Sequence, residues 1–288
     1  MSASTSWGAP GGATPSGAPG DATTERILRA HLREMPFHRV IMRSIEARIL
    51  SDVPLERPIL DVGCGDGHFG SVLFREGADV GLDPAVSELA EAGARGVYRL
   101  RVAADSGAMP FREGAFASVV SNCVFEHIPD IEATIAEIGR VLRPGGVFAC
   151  TAIGEHFSEF LTDAGAWRRL GLAGLHRAYV AWFNRKSVHF HFDPPARWIE
   201  RFARAGLEVL RWRYYLSPAT ARAFHRSHYW SLPHLVAKRL TGRWVPFPSW
   251  TENAFWIRRL RPLVEEPEPA AGSCIAFVCR RRAGGPVK

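Results

Sequence analysis

The spacing of apolar residues predicts where the strands and helices of this chain lie. Short apolar runs end at Asp61, Asp83 and Asn122, and another covers 147–153. Each of these runs is typical of a buried strand. Residues 131–142 carry apolar side chains at helical spacing, which predicts a helix between the last two strands.

The amino-terminal part divides into a tail and a pair of helices. Residues 1–22 are mostly small residues and proline with hardly any large side chain, so they cannot bury enough surface to order themselves. From Thr24 the apolar residues take helical spacing, and a second amphipathic stretch covers 37–50. We therefore expect a disordered tail at 1–22 and capping helices within 23–56.

Three further elements are predicted near the carboxyl terminus. Asp193 is a good helix N-cap, Pro194 would take the first helical position, and the apolar face of this helix ends near Gly206. A strand is expected at 207–212, and the last strand is expected at 273–279.

The first predicted strand leads into a turn rich in glycine. Gly63, Gly65 and Gly67 let the backbone bend tightly and approach a ligand without a Cβ in the way. A Walker phosphate loop is excluded because no Gly-Lys-Ser or Gly-Lys-Thr follows. A dinucleotide fingerprint fits poorly because His68 stands three residues after Gly65. The turn therefore suits a small nucleotide-like molecule.

Four segments at these strand ends resemble the motifs of class I S-adenosylmethionine-dependent methyltransferases. The first is the Asp-Val-Gly-Cys-Gly-Asp-Gly stretch. The fourth contains Glu-His-Ile and is followed by the turn Leu-Arg-Pro-Gly-Gly at 142–146, which is similar to the ubiquinone-biosynthesis-like (type 11) branch. The resemblance covers about 57–153. The four segments begin at Asp61, Ala78, Val102 and Ala117.

This resemblance implies an α/β, Rossmann-like fold. A seven-stranded sheet, its last strand antiparallel, would have helices on both faces. The methyltransferase domain would cover 57–288, with mixed helical insertions at about 154–192 and 217–272. Long additions to a compact fold usually have a function, so we expect them to form a substrate lid. The helices before the domain would either close over the cofactor, as in relatives, or only cap the sheet.

The resemblance also implies the cofactor, S-adenosyl-L-methionine, and its contacts. The methionine end carries an ammonium and a sulfonium, so the Asp61 carboxylate beside an open turn suits it better than a lysine would. Asp83 is the expected partner of the ribose hydroxyls. Asp105 would contact the adenine amino group, and Met109 would pack on the ring. The expected cofactor-binding residues are Asp61, Gly63, Gly65, Asp83, Asp105, Ser106, Met109 and Asn122.

Histidines supply the candidate catalytic groups. The sulfonium already makes the methyl group electrophilic, so the main task of such an enzyme is to align donor and acceptor. If the acceptor is a hydroxyl, His127 or His189 could accept its proton. The alternative for His127 is a structural hydrogen bond, and the alternative for His189 is simple packing. On an extended strand, His189, His191 and Asp193 share one face, as either a metal set or a cleft lining. We expect no metal.

Charge and aromatic content separate the two halves of the chain. Residues 1–150 contain 14 lysines and arginines against 19 aspartates and glutamates, a net charge of −5. Residues 151–288 contain 22 against 10, a net charge of +12, and also eight of the nine tryptophans. We therefore expect an anionic partner for the second half.

The insertions combine arginine with tryptophan and leucine, as at 254–261. This composition is typical of an interfacial helix on anionic lipid, but we favour a lid whose aromatic side chains pack on the core and whose arginines face water. No run approaches the roughly 18 to 20 apolar residues of a membrane span, and no signal peptide is visible. The five cysteines lack metal-finger spacing and indicate a reducing compartment. We expect a cytoplasmic protein, soluble or peripheral at the membrane.

Three functions are compatible with these features. The first is methyl transfer to a small or lipid-linked acceptor, with the methylated atom and the oligomeric state left open. The second is an RNA or protein methyltransferase, favoured by the pI of 9.5 but lacking an Asn-Pro-Pro-Tyr type tetrapeptide and any recognised RNA-binding module. The third is a non-catalytic cofactor-binding scaffold, against which the intact Asp61, Asp83 and Asp105 argue.

Overall fold

A single sheet forms the centre of the molecule, of which the computed structural model describes residues 19–161, 167 and 169–283. Its strands are β1 (Ile59–Val62), β2 (Ala78–Asp83), β3 (Tyr98–Ala103), β4 (Phe116–Asn122), β5 (Leu142–Ile153), β6 (Leu207–Tyr215) and β7 (Cys274–Arg281). The strand order is β3-β2-β1-β4-β5-β7-β6. Strands β1 to β5 are parallel and β7 is antiparallel to β5 and β6, which confirms the predicted seven-stranded α/β sheet.

The strand register brings the predicted acidic residues to one edge of the sheet. Strands β1 and β4 are buried along their whole length, as their apolar sequences require. Asp61 lies opposite Gly81 of β2 and Val120 of β4, and Asn122 lies opposite Thr151 of β5. The carboxyl ends of the parallel strands therefore meet, and such an edge is where ligands bind in open α/β sheets.

Helices flank the sheet and make up most of the two additions, 154–192 and 217–272. A short 3₁₀ turn, Phe125–His127, follows β4. The α-helices are α1 (Pro19–Glu34), α2 (Phe37–Ser51), α3 (His68–Leu73), α4 (Val86–Arg95), α5 (Ile131–Val141), α6 (Phe157–Leu161), α7 (Ala173–Ser187), α8 (Pro195–Arg204), α9 (Pro218–Trp230), α10 (Leu232–Thr241), α11 (Pro248–Thr251) and α12 (Ala254–Val264).

Helix α8 begins one residue later than the sequence pattern indicates, so the predicted cap at Asp193 is wrong. Pro195 disfavours helical geometry in the residue before it, and Pro194 accordingly stays extended (φ −69°, ψ 160°) as the N-cap. The Asp193 carboxylate instead binds two arginines of the helix, with Oδ2 2.6 Å from Arg201 and Oδ1 3.2 Å from Arg197. Asp193 therefore anchors the helix through ion pairs.

The amino-terminal helices are part of the packed structure. Helix α1 begins at Pro19, five residues before the expected start at Thr24, and 1–18 of the predicted tail lie outside the described residues. A proline fits the first turn of a helix because its missing N–H would have no partner there. Leu32 of α1 and Ile45 of α2 share a buried cluster with Phe224 of α9 and Leu260 of α12.

The two additions therefore pack on the amino-terminal helices as well as on the sheet. Phe157 of α6 and Ile257 of α12 join the same buried cluster, beside Ala276 of β7. Among the described residues, no helix combines the length and the apolar character that crossing a bilayer requires.

Candidate functional site

A cavity of about 710 Å³ lies beside the glycine turn at the carboxyl edge of the sheet. This volume is in the range of small-molecule sites. One part of its wall comes from the strand ends, the glycine turn and α4, and another part comes from α1, α2 and the segment 238–248. Four of the predicted cofactor residues line it: Asp61, Gly63, Gly65 and Asn122.

The glycine turn is shaped by a close contact that only a glycine tolerates. Gly63 has φ +74°, and a Cβ at this position would lie 2.4 Å from Cγ2 of Val124. The amides of Gly63 and Cys64 donate to the Leu82 carbonyl, at 2.8 and 3.1 Å, so the turn is tied to β2. The backbone is therefore bare towards the cavity and fixed behind it.

Asp61 is a buried carboxylate at the start of this turn, only 4% exposed. Its Oδ2 accepts a 2.5 Å hydrogen bond from the Tyr98 hydroxyl. Burial raises the pKa of the Asp61 carboxyl to about 7, against the effect of the Tyr98 bond and with a further rise from Asp83. A cation in the cavity would favour the ionised form, so the site suits a positively charged ligand group.

Asp83 holds the turn from the neighbouring strand. Its Oδ2 accepts from the Gly65 amide and its Oδ1 from the Ala85 amide, both at 2.9 Å. An ionised carboxylate has about four acceptor positions, so two remain for hydroxyl groups of a ligand. The structure therefore places Asp83 next to the cavity, with the turn as its first partner.

Asn122 is fixed on both sides of its amide. Its Nδ2 donates to Oε2 of Glu46 at 2.9 Å, and its Oδ1 accepts from the Thr151 hydroxyl at 2.8 Å. Both partners are fully buried. The orientation of Asn122 is thus set by the protein before any ligand binds.

Glu46 is the functional residue that sequence reasoning missed. Its buried carboxylate accepts hydrogen bonds from Arg43, Cys123 and Tyr215, each at 2.9 Å, in addition to Asn122. The available signal was the single acidic residue of α2, one turn before the buried Leu50, on a helix whose other charged side chains are arginines. Glu46 joins α2 to the strand ends that form the cavity wall.

The wall formed by α1, α2 and 238–248 is basic apart from Glu34, which pairs with Arg95 at 2.7 Å. Arg39 of α2, Lys238 of α10 and Arg243 line the cavity there, and the Arg39 guanidinium lies 5.7 Å from the centroid of the Trp244 ring. In the part of the chain that the structure describes, no carboxylate forms an ion pair with these three cations. The rest of the lining carries acidic residues beyond Asp61, namely Asp66, Glu88 and Glu91.

The loop after β3 does not turn its predicted residues into the cavity. Asp105 is exposed and its Oδ1 accepts from the Gly107 amide at 2.7 Å, while the Ser106 hydroxyl bonds to Thr134 at 2.8 Å. Met109 is 4% exposed and packs in the main core. None of these three residues lines the cavity, although the loop leaves the sheet directly beside Asp83.

The two candidate bases lie outside the cavity as well. His127 is exposed, and its Nδ1 is 3.1 Å from the Val188 carbonyl of the first addition. The His189 ring lies 5.2 Å from that of His127, between centroids, and packs against Phe157 and Phe192. Burial lowers the pKa of His189 to about 4, and His127 contributes to this.

The alternating histidines after α7 do not form a metal set. His191 bonds to the Ile128 carbonyl at 2.9 Å, and its Nδ1 lies 3.7 Å from Asp193. His189 packs among aromatic rings instead. Across the described ranges, no group of three metal-ligating side chains is close enough to hold an ion.

A histidine pair links α1 to the glycine turn. His31, fully buried, places Nδ1 3.0 Å from Nε2 of His68, and Nδ1 of His68 lies 3.2 Å from Glu34. Burial lowers the pKa of His31 well below its ordinary value, and His68 and Arg43 lower it further. The neutral form of His31 is therefore the one that fits the folded protein.

We expect acid to weaken the fold through His31. Its pKa is about 6.5 in the unfolded chain and lower in the folded one, so its contribution is present above pH 6.5 and is lost as the pH falls. One pH unit below 6.5 the loss is about 1.4 kcal/mol, or roughly 3 °C in Tm. Thermal unfolding of His31→Gln should depend less steeply on pH than that of the wild type. Equal slopes would contradict this role.

Comparison with known proteins identifies the domain that carries this cavity. Residues 60–150 match the family model described as a methyltransferase domain. The trans-aconitate 2-methyltransferase of Deinococcus radiodurans is 32% identical over 148 residues, which are 46% of this chain and 57% of that protein. The ubiquinone biosynthesis O-methyltransferase of Xanthomonas axonopodis pv. citri is 28% identical over 189 residues, 61% of this chain and 73% of that protein. The first alignment thus spans little more than half of its relative.

Solved structures share the fold at low sequence identity. A SAM-dependent methyltransferase from Thermotoga maritima superposes with a TM-score of 0.52 at 15% identity, over 91% of this chain and all of that one. The cyclase SpnF does so with a TM-score of 0.51 at 17% identity, over 84% and 82%. The bare turn at Gly63 and the Asp61 carboxylate fit the methionine end of S-adenosylmethionine. Residues 60–150 therefore match a methyltransferase domain, and the fold around them is shared with a SAM-dependent methyltransferase of solved structure.

Proposed function

We propose that this protein transfers the methyl group of S-adenosylmethionine to a small or lipid-linked acceptor in the cavity beside the glycine turn. The observation that carries the proposal is the meeting of Asp61, Gly63, Gly65 and Asn122 on one wall of that cavity. The acidic residues suit the ammonium and the sulfonium of the donor. The basic wall suits an anionic group, which is either the carboxylate at the donor's methionine end or a group of the acceptor.

The bound cofactor would supply an electrophilic methyl group on a sulfonium. The protein residues bind and orient: the Asp61 carboxylate would hold the ammonium, and the turn at Gly63 lets the backbone come close. Asp83, with two acceptor positions left, would receive the ribose hydroxyls. The roles proposed for Asp105, Ser106 and Met109 would require the loop after β3 to rearrange, because none of the three lines the cavity.

The basic wall supports an acceptor that carries an anionic group. Arg39, Lys238 and Arg243 line the cavity without a carboxylate partner among the described residues. A phosphate or carboxylate of the acceptor would form ion pairs with these cations, because hydrogen bonds between charged groups are stronger than those between neutral groups. An acceptor already ionised at the attacking atom would need no general base, which agrees with the position of His127 and His189 outside the cavity. A neutral hydroxyl acceptor would need one of these histidines to approach.

Calorimetric titration with S-adenosylhomocysteine tests the donor site. We expect the affinity to fall about tenfold for each pH unit below about pH 7, because the Asp61 carboxyl, whose pKa is raised to about 7, must lose its proton to hold the ammonium. Above that pH the affinity should level off. Asp61→Asn should bind weakly and show a flat profile between about pH 6 and about pH 8.

The outcomes of this titration are distinct. No heat with the wild type would remove the donor site, and with it both methyl transfer and the cofactor-binding scaffold. Binding without the pH dependence would assign the ammonium to a group other than Asp61. If Asp61→Asn binds with the same pH dependence as the wild type, the ammonium is likewise held by a group other than Asp61.

The alternative functions keep the same cofactor site. The fold alone does not establish methyl transfer, because a protein described as a cyclase shares it. Transfer of a radiolabelled methyl group to lipid, RNA or protein fractions of a bacterial extract would separate the acceptor classes. Label in RNA or protein alone would replace the proposed acceptor, and label in none, with cofactor bound, would favour the scaffold.

A further inference from the structure

Helix α10 exposes a continuous apolar stripe. Leu232, Leu235, Val236 and Leu240 are 57%, 41%, 56% and 80% exposed, and the helix has no buried residue. Spacing of three, four and eight residues puts these side chains on one face, which in a soluble protein normally packs on the core. The second addition thus presents to solvent the face that such a helix usually buries.

Aromatic side chains extend this stripe on both sides. Trp230, just before α10, is 54% exposed, and its ring centroid lies 6.5 Å from that of Trp256 on α12. Phe255, adjacent to Trp256, is 68% exposed. After α10, Phe247 and Trp250 are 57% and 73% exposed, with ring centroids 4.9 Å apart. We name these four exposed aromatics and the four aliphatic residues of α10 the apolar patch.

The backbone around this patch is fixed to the rest of the molecule. The Phe37 ring contacts His234 of α10 at 5.2 Å and Trp256 at 4.2 Å between centroids. The Thr251 hydroxyl, buried, donates to the Leu32 carbonyl at 2.7 Å. The patch is therefore presented on an anchored platform formed by α1, α2 and α12.

The charge around the patch has one sign. Between Glu208 and Glu252 the chain contains seven lysines and arginines and no aspartate or glutamate. Lys238, Arg239 and Arg243 lie on or directly after α10 and are exposed. Basic side chains next to exposed leucine, tryptophan and phenylalanine are the composition of a helix that lies in the plane of a bilayer surface.

We propose that the apolar patch docks on an anionic lipid bilayer, with α10 lying in the interface. The aliphatic stripe would enter the boundary between headgroups and acyl chains, and Arg239 with its basic neighbours would bind lipid phosphates. Tryptophan is suited to this depth because its ring is apolar and its N–H is polar. An RNA partner would not bury the aliphatic side chains of Leu232, Leu235, Val236 and Leu240. An apolar protein surface would not provide anionic groups for the cations beside them.

This orientation would place the cavity next to the headgroups. Lys238 lies on α10 and residues 242–245 directly follow that helix, and all five line the cavity. One segment thus forms both the basic wall and the docking surface. The docking proposal itself does not depend on methyl transfer.

Vesicle flotation tests the proposal on the full chain. The wild type should float with vesicles of phosphatidylcholine mixed with phosphatidylglycerol, much less with phosphatidylcholine alone, and less as salt rises. Leu235→Glu with Leu240→Glu should reduce the bound fraction at least tenfold. Arg239→Gln should weaken binding to the anionic vesicles about fivefold, the effect of one charge near such a surface. Leu100→Glu is the matched control, since Leu100 is 54% exposed on β3, the strand at one edge of the sheet.

Two further measurements keep the result specific. Calorimetry with S-adenosylhomocysteine should give the same affinity for all of these variants, which shows that they are folded. A wild type that stays unbound to anionic vesicles, or stripe variants that bind as well as the wild type, would overturn the proposal. So would a dimer, seen by light scattering, that Leu235→Glu with Leu240→Glu dissociates, because the patch would then bind a second copy of the chain.

Discussion

Gly63→Ala should destabilise the fold by about 2–5 kcal/mol and weaken S-adenosylhomocysteine binding at least tenfold. The new Cβ would lie 2.4 Å and 2.7 Å from the two methyl groups of Val124, at a φ of +74°. The left-handed backbone costs roughly 1–2 kcal/mol and the overlap roughly 1–3 kcal/mol more. Val124 cannot simply rotate away, because a β-branched side chain is stiff at χ1. Thermal unfolding measures the first effect, at roughly 2–4 °C for each kcal/mol, and calorimetry the second.

Gly96→Ala is the matched control for this substitution. Gly96 also has a positive φ, +67°, but a Cβ there would meet no atom within 4 Å. Its cost should therefore be about 1 kcal/mol, with cofactor affinity unchanged. Val124→Ala in the Gly63→Ala background should restore part of the stability. If Gly63→Ala and Gly96→Ala behave alike, the contact with Val124 does not shape the turn.

Glu46→Gln should cost about 3–5 kcal/mol of folding free energy. Among the described residues, Glu46 is the only carboxylate within hydrogen-bond distance of the Arg43 guanidinium, and this substitution removes its charge. The amide also turns an N–H₂ group towards donors that need an acceptor. Asn122 loses its fixed orientation as a result, so cofactor binding should weaken as well. Denaturant unfolding and calorimetry measure the two effects.

Two comparisons define the meaning of this result. Glu56→Gln breaks an exposed ion pair with Arg143 and should cost less than about 1 kcal/mol. Arg43→Met combined with Glu46→Gln should recover much of the lost stability, since removing both charges of a buried pair is often close to neutral. A Glu46→Gln protein as stable as Glu56→Gln would show that the buried network is not needed for the fold.

The sheet and half of the donor site could be predicted because their signals are local. Short apolar runs located β1, β2 and β4, and parallel strands necessarily bring their carboxyl ends together. Asp61, Gly63 and Gly65 therefore lie where the pattern indicates, on the wall of one cavity. The resemblance to the class I methyltransferases predicted the same three residues.

Side-chain direction in loops could not be predicted in this way. Met109 is apolar, and in the structure its side chain packs in the main hydrophobic core with Phe111 and Phe116. His127 bonds to the Val188 carbonyl, 61 residues away, so its direction depends on where the first addition packs. Glu46 binds Asn122, Cys123 and Tyr215 at separations of 76, 77 and 169 residues, which no local pattern contains.

The hydrogen bond from Thr251 to the Leu32 carbonyl has a consequence for the proposed methyl transfer. It holds the segment after α10 against α1, so we expect these two parts of the cavity wall to move together. The demethylated cofactor would then leave only when both parts move away from the sheet. Product release and binding of the next donor would then both depend on this one motion, and its rate would set the upper limit on kcat.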